Sequence, residues 1–123
     1  MSTYYSQGSG AWSTLANWDT VPGGGGTDPA SVAAMDDQSF VIQATHNIEF
    51  DVDMSGFANG IGLTINGGAT PGMLYSKYSA AGTYHCKIKT GLTLAGTTST
   101  NRGRLLANSD GVWANSVALP FDR

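Results

Sequence analysis

Charge is scarce in this chain. Six Lys and Arg and nine Asp and Glu make up only 12% of 123 residues, well below the quarter or so that is usual in a globular domain. So few basic side chains, at a formal net charge of −3, exclude the broad basic surface that displaces counterions from phosphates, and nucleic acid is not expected as a partner. Cysteine occurs once, as Cys86, which excludes an internal disulfide and says little about compartment. Long apolar runs are missing too: none approaches the ~18–20 residues that span a bilayer. The opening Met1-Ser2-Thr3-Tyr4-Tyr5 has neither a basic segment nor an apolar one, so no membrane span and no secretory signal are expected.

What fills the space is glycine, 17 residues of it, with many Ser, Thr and Asn. That composition suits short strands and many turns, and a chain of this length buries a core without metal or disulfide. Residues 47–53 alternate: Ile48, Phe50 and Val52 point one way, Glu49, Asp51 and Asp53 the other. Tyr84, Cys86 and Ile88 alternate with His85, Lys87 and Lys89 in the same manner. Asn66-Gly67-Gly68 marks a turn after Leu63-Thr64-Ile65. Asp28 as an N-cap and Pro29 as the first helical residue predict one or two helical turns through Met35, and no other helix.

Strand starts fall into two series, one near Phe40, Leu63, Tyr84 and Arg104, the other near Ile48, Met73, Leu92 and Val117. Each recurs at roughly the length of one solenoid coil. The expected fold is therefore all-β: a short right-handed β-solenoid over residues 40–123, preceded by an N-terminal arm and capping segment, 1–39, within one structural domain. A β-sandwich or jelly roll is the alternative, since eight short strands with regular turns read that way too.

Catalytic residue types are few. In an alternating strand His85 and Cys86 point to opposite faces, which disfavours a nucleophile pair, and Cys86 joins the core side. Glu49, Asp51 and Asp53 form an acidic row that reads first as a solvated face. Contacts to another subunit, calcium binding or glycoside hydrolysis are further readings of carboxylates so spaced. Residues 23–26 lack the strand before and the Gly-Lys-Ser/Thr after that a phosphate loop needs. Neither catalytic residues, nor a cofactor, nor a metal site is expected. Trp12, Trp18 and Trp113 read as plugs for the end of a core, with a sugar-stacking platform as the other reading. Candidate partner contacts are Tyr4 and Tyr5 in an extended arm, the basic group Lys87, Lys89, Arg102 and Arg104, and Phe121.

Gly10-Ala11-Trp12, Asn17-Trp18-Asp19, the glycine-rich loop, Phe40-Val41-Ile42-Gln43 and Ile48-Glu49-Phe50-Asp51 together resemble the opening of β-helical structural proteins from tailed-phage virions. Thr70-Pro71-Gly72-Met73-Leu74 and the run from Thr100 through Arg104-Leu105-Leu106 to Gly111 are similar to the same group. The resemblance implies a non-enzymatic virion protein for capsid decoration or a tail fibre or spike, made in the host cytoplasm and assembled with copies of itself and other virion proteins. A carbohydrate-binding β module of an extracellular or receptor-binding protein is the alternative. Leu119-Pro120-Phe121 at the end is apolar and strand-like, so the C-terminal face of the coil stack is expected to lie against a neighbour.

Overall fold

Short apolar runs between turn residues become strands here, and most of them pair in parallel. The computed structural model describes residues 2–76, 85–98, 101–106 and 121–122. Its strands are β1 (Thr3–Ser6), β2 (Gly10–Ala11), β3 (Trp18–Asp19), β4 (Ser39–Ile42), β5 (Asn47–Phe50), β6 (Ile61–Ile65), β7 (Met73–Ser76), β8 (Cys86–Leu94), β9 (Arg104–Leu106) and β10 (Phe121–Asp122). One six-stranded sheet has the order β10-β8-β6-β4-β1-β3, and a four-stranded sheet the order β2-β5-β7-β9. Among the described pairs, β1–β3 is antiparallel and the others are parallel. The fold class is all-β, as expected. No described helix is long and apolar enough to cross a membrane.

The parallel register sets like residues over like. Tyr4 faces Phe40, Phe40 faces Leu63, and Leu63 faces Leu92. Ile42, Ile65 and Leu94 form a second column, and Ile48, Leu74 and Leu105 a third on the other sheet. Inward residues of both sheets join one hydrophobic core. The alternation over 47–53 holds on its apolar side, with Ile48, Phe50 and Val52 buried. Its polar side is less open than expected: Asp53 is exposed, whereas Glu49 and Asp51 are half-buried.

Three expectations need correction. Leu92-Thr93-Leu94 does not start a strand of the second series, because it continues β8 in the first sheet, and Arg104 starts a strand of the second sheet. Ile61 pairs with Ile88 but Leu63 with Leu92, so β8 carries two extra residues there. A β-bulge absorbs them, so that one strand runs where two separate starts were expected. Tyr84 and Val117 lie outside the described residues. The helix through residues 29–35 reduces to a 3-10 turn, Ala33–Met35, entered from Val32. Ser31 Oγ, not Asp28, accepts from an N–H of that turn, at Ala34. Met35 then drops into the core, where its sulfur accepts from Trp12 Nε1 at 3.2 Å, and the turn ends. A second 3-10 turn, Leu15–Asn17, was not anticipated.

Finally, Tyr4 and Tyr5 are not in an arm. β1 lies between β3 and β4, and β2 pairs with β5, so residues 3–6 and 10–11 supply strands to both sheets.

The N-terminal end is closed by aromatic rings. Trp12 and Trp18 lie 4.6 Å apart between centroids, and both pack on Phe40 at 5.0 Å. Trp12 also meets Phe50 edge-on, and Tyr4 stacks on Phe40. The indole N–H of Trp18 donates to the Trp12 carbonyl at 2.9 Å, so the cluster buries no unpaired indole. Nearby backbones approach closely. At Gly60 (φ 92°) a Cβ would sit 2.6 Å from the Lys87 carbonyl oxygen, which only glycine tolerates.

Candidate functional site

The partner-contact candidates divide sharply. Lys87 is half-buried and its Nζ donates to the Phe57 carbonyl at 2.7 Å. Lys89 Nζ donates to both the backbone oxygen and Oδ1 of Asp37, each at 2.9 Å. These two cations hold the 54–60 loop and the 36–37 corner rather than forming a basic face. Tyr4 stacks within the core edge and Tyr5 is half-buried in β1. Arg102 and Arg104 are exposed. Phe121 enters β10, opposite Cys86 at the sheet edge.

The acidic row is likewise spoken for. Asp51 accepts from the backbone N–H and hydroxyl of Ser13, at 2.9 and 2.6 Å, fixing the turn after β2. Asp53 accepts from the Ser55 N–H at 3.0 Å. Burial pushes the Asp53 carboxyl up, but the Ser55 bonds and the neighbouring His85 outweigh it and hold the group below the ordinary range. Glu49 lies close enough to Tyr75 to add to the effect of burial in raising that phenol. Among the described residues no group of three or more His, Cys, Asp or Glu gathers as metal ligands would.

Trp12 and Trp18 are fully buried, so they form no platform for a sugar. They act as the end plug that was the first reading of them; Trp113 lies outside the described residues. Cys86 is a buried free thiol on the same strand face as Ile88. Burial pushes its pKa far up, which removes the reactive thiolate.

Asp36, beside these elements, is held by three successive backbone donors. Its oxygens accept from the N–H groups of Ala58, Asn59 and Gly60 at 2.9, 3.0 and 2.7 Å. Partial burial raises its pKa, yet the backbone bonds prevail and lower it. This is a structural clasp.

The feature that sequence reasoning missed is a groove of about 670 Å³ along one set of turns. By register, Gln7, Gln43, Asn66 and Ala95 follow equivalent positions of β1, β4, β6 and β8, and all four line it with His46 and the 22–23 loop. Gln43 Nε2 donates to the carbonyls of Ser6 and Pro22 at 2.7 and 2.9 Å. Gln7 Nε2 donates to those of Tyr5 and Val21 at 2.9 and 3.1 Å. Ser6 Oγ accepts from the Gln43 N–H at 2.9 Å and lies 2.7 Å from His46 Nδ1. A Ser–His contact of that length suits a nucleophile and base. Here, however, Ser6 is completely buried, so its hydroxyl positions the imidazole instead. The signal was in the sequence: Tyr4-Tyr5-Ser6-Gln7, Phe40-Val41-Ile42-Gln43 and Leu63-Thr64-Ile65-Asn66 each end an apolar-led run on an amide.

No family model matches the chain, and neither a curated protein nor a solved structure matches it.

Proposed function

We propose that this chain is a non-enzymatic structural module of a tailed-phage virion, serving in capsid decoration or in a tail fibre or spike. In this reading it folds as a short right-handed β-solenoid and works by packing against copies of itself and other virion proteins. The observation that carries the proposal is a gradient along the apolar columns. Phe40 is 0% exposed, Leu63 3% and Leu92 37%, although all three face inward in one register. Leu94 and Leu105, the last described residues of the other two columns, are also only partly buried. Apolar surface left at one end of a stack gains ~25 cal/mol per Å² when a partner covers it.

Parallel pairing, with chain-successive strands alternating between the two sheets from β4 onward, favours a coil over an antiparallel sandwich. Right-handedness follows the general preference of parallel crossovers. Exposed Arg102 and Arg104 follow β8, the strand of Leu92, in the chain and suit an acidic neighbour. The non-enzymatic part rests on the separate structural engagement of Asp51, Asp53, Ser6 and Cys86.

Sedimentation of the full chain tests the proposal. A defined oligomer is expected, with an interface above roughly 1,000 Å². A monomer at micromolar concentration, with Leu92 still open to hydroxyl-radical labelling in purified particles, overturns it.

A further inference from the structure

The amide-lined groove differs in chemistry from the leucine columns, for its lining is polar side chains and small residues. We propose that it binds a neutral, hydroxyl-rich ligand: a linear segment of an uncharged oligosaccharide. No described residue lining it is Lys, Arg, Asp or Glu, so an anionic or cationic ligand would lose hydration there without a counter-charge. An apolar ligand would cover amide groups and leave them unpaired. Sugar hydroxyls donate and accept at once, as the groove requires.

The groove holds unspent capacity of both kinds. The side-chain amide of Asn66 makes no hydrogen bond among the described residues, so its NH₂ and Oδ1 are free for a ligand. The Nε2 groups of Gln7 and Gln43 are committed to backbone carbonyls, which leaves each Oε1 as an acceptor. His46 Nδ1 is engaged by Ser6 Oγ at 2.7 Å, so Nε2 is the ring nitrogen left to meet a ligand, as donor or acceptor according to the tautomer.

Spacing and rigidity favour a chain over a single small molecule. Gln7, Gln43 and Asn66 sit on successive parallel passes, which repeat every ~4.8 Å, close to the length of one pyranose unit in an extended glycan. Because the glutamines are anchored by their own amide nitrogens, little side-chain freedom is lost on binding. The 22–23 loop forms a wall and is held in place by the same bonds, to Pro22 and Val21.

The test is a titration of isotope-labelled full-length chain, followed by amide resonances, with cellohexaose, maltohexaose and chitohexaose, and with a heparin hexasaccharide as the anionic contrast. At least one neutral hexasaccharide is expected to shift Gln7, Gln43 and Asn66 together, and heparin is not. Asn66→Ala, which removes no protein hydrogen bond, should weaken binding about three- to tenfold. Gly23→Trp should abolish it, since Gly23 lines the groove and a Cβ there meets nothing within 4 Å. Shifts by heparin alone, no shift with any of the three neutral glycans, or binding unchanged in both variants would overturn the proposal. None of these outcomes depends on the oligomeric state, so failure here leaves the assembly reading standing.

Discussion

The two ends of the core are made of the same apolar columns and are treated oppositely. At the N-terminal end the column that begins with Tyr4 and Phe40 is sealed by Trp12, Trp18 and Met35, each 0% exposed. At the other end Leu92, in the same column, is 37% exposed. A residue's inward direction is set by strand alternation, but its burial requires a further layer beyond it. The N-terminal segment supplies that layer by turning back through β3, which closes the sheet antiparallel to β1. The difference teaches that burial of an inward residue depends on the layer beyond it, which the N-terminal segment provides for Phe40 and which Leu92 has only in part.

The largest expected effect breaks this contrast directly. Phe40→Ala should cost about 3–5 kcal/mol in urea unfolding, because it opens a cavity beneath both indoles. Leu92→Ala should cost below about 1.5 kcal/mol in the free chain, because much of the side chain is already in water. Equal costs would erase the distinction between the ends. A Leu92→Ala penalty that grows with protein concentration would sharpen it.

Next comes the clasp between the ends. Asp36→Ala should cost about 1–3 kcal/mol, since three N–H groups at residues 58–60 lose a charged acceptor. The pH dependence has a definite sign. The folded carboxyl is held below its ordinary value of 3.8, so its contribution is present above that value and lost as pH falls through the lower folded value. Acid unfolding curves of the variant should be flatter than wild type below about pH 4. Curves that stay parallel would remove Asp36 from the account.

Cys86 probes the interior between the ends by rate rather than by energy. The native thiol should react with a thiol reagent far more slowly than the denatured one. Its raised folded pKa also means that stability falls as pH rises above the ordinary thiol value, where only the unfolded thiol ionises. Labelling as fast as in denaturant would show that the sheet edge at β8 and β10 opens readily. The smallest effect is that of the Lys89–Asp37 ion pair, 2.9 Å long with an exposed acid. Asp37→Asn, which tolerates the positive φ of 68° there, should cost no more than about 0.5 kcal/mol by thermal melting. A loss comparable to that of Asp36→Ala would make the corner, and not the clasp, the main tie.

Much of the body was legible before any coordinates. Ile48, Phe50 and Val52 are buried because a one-residue slip would turn the whole set outward. Cys86 falls with Ile88 for the same reason, and the indoles of Trp12 and Trp18 have no better place than the core. The groove was legible only in part. The recurring amides at Gln7, Gln43 and Asn66 are visible as residues, but their alignment exists only once β1, β4 and β6 are in register.

The amino-acid sequence by itself determined the all-β class, the inward faces and the scarcity of ionic chemistry, because these depend on composition and on a period of two. Tertiary structure decided the rest. Whether the chain between Ile88 and Leu92 breaks the strand or bulges within it depends on β6 lying alongside. Whether Lys87 and Lys89 face a partner or their own chain depends on the carbonyls of Phe57 and Asp37 coming within reach. Whether Leu92 is core or surface depends on what stands one layer further on. Each is a contact between residues distant in the chain, and no local pattern encodes the neighbour that a strand acquires only on folding.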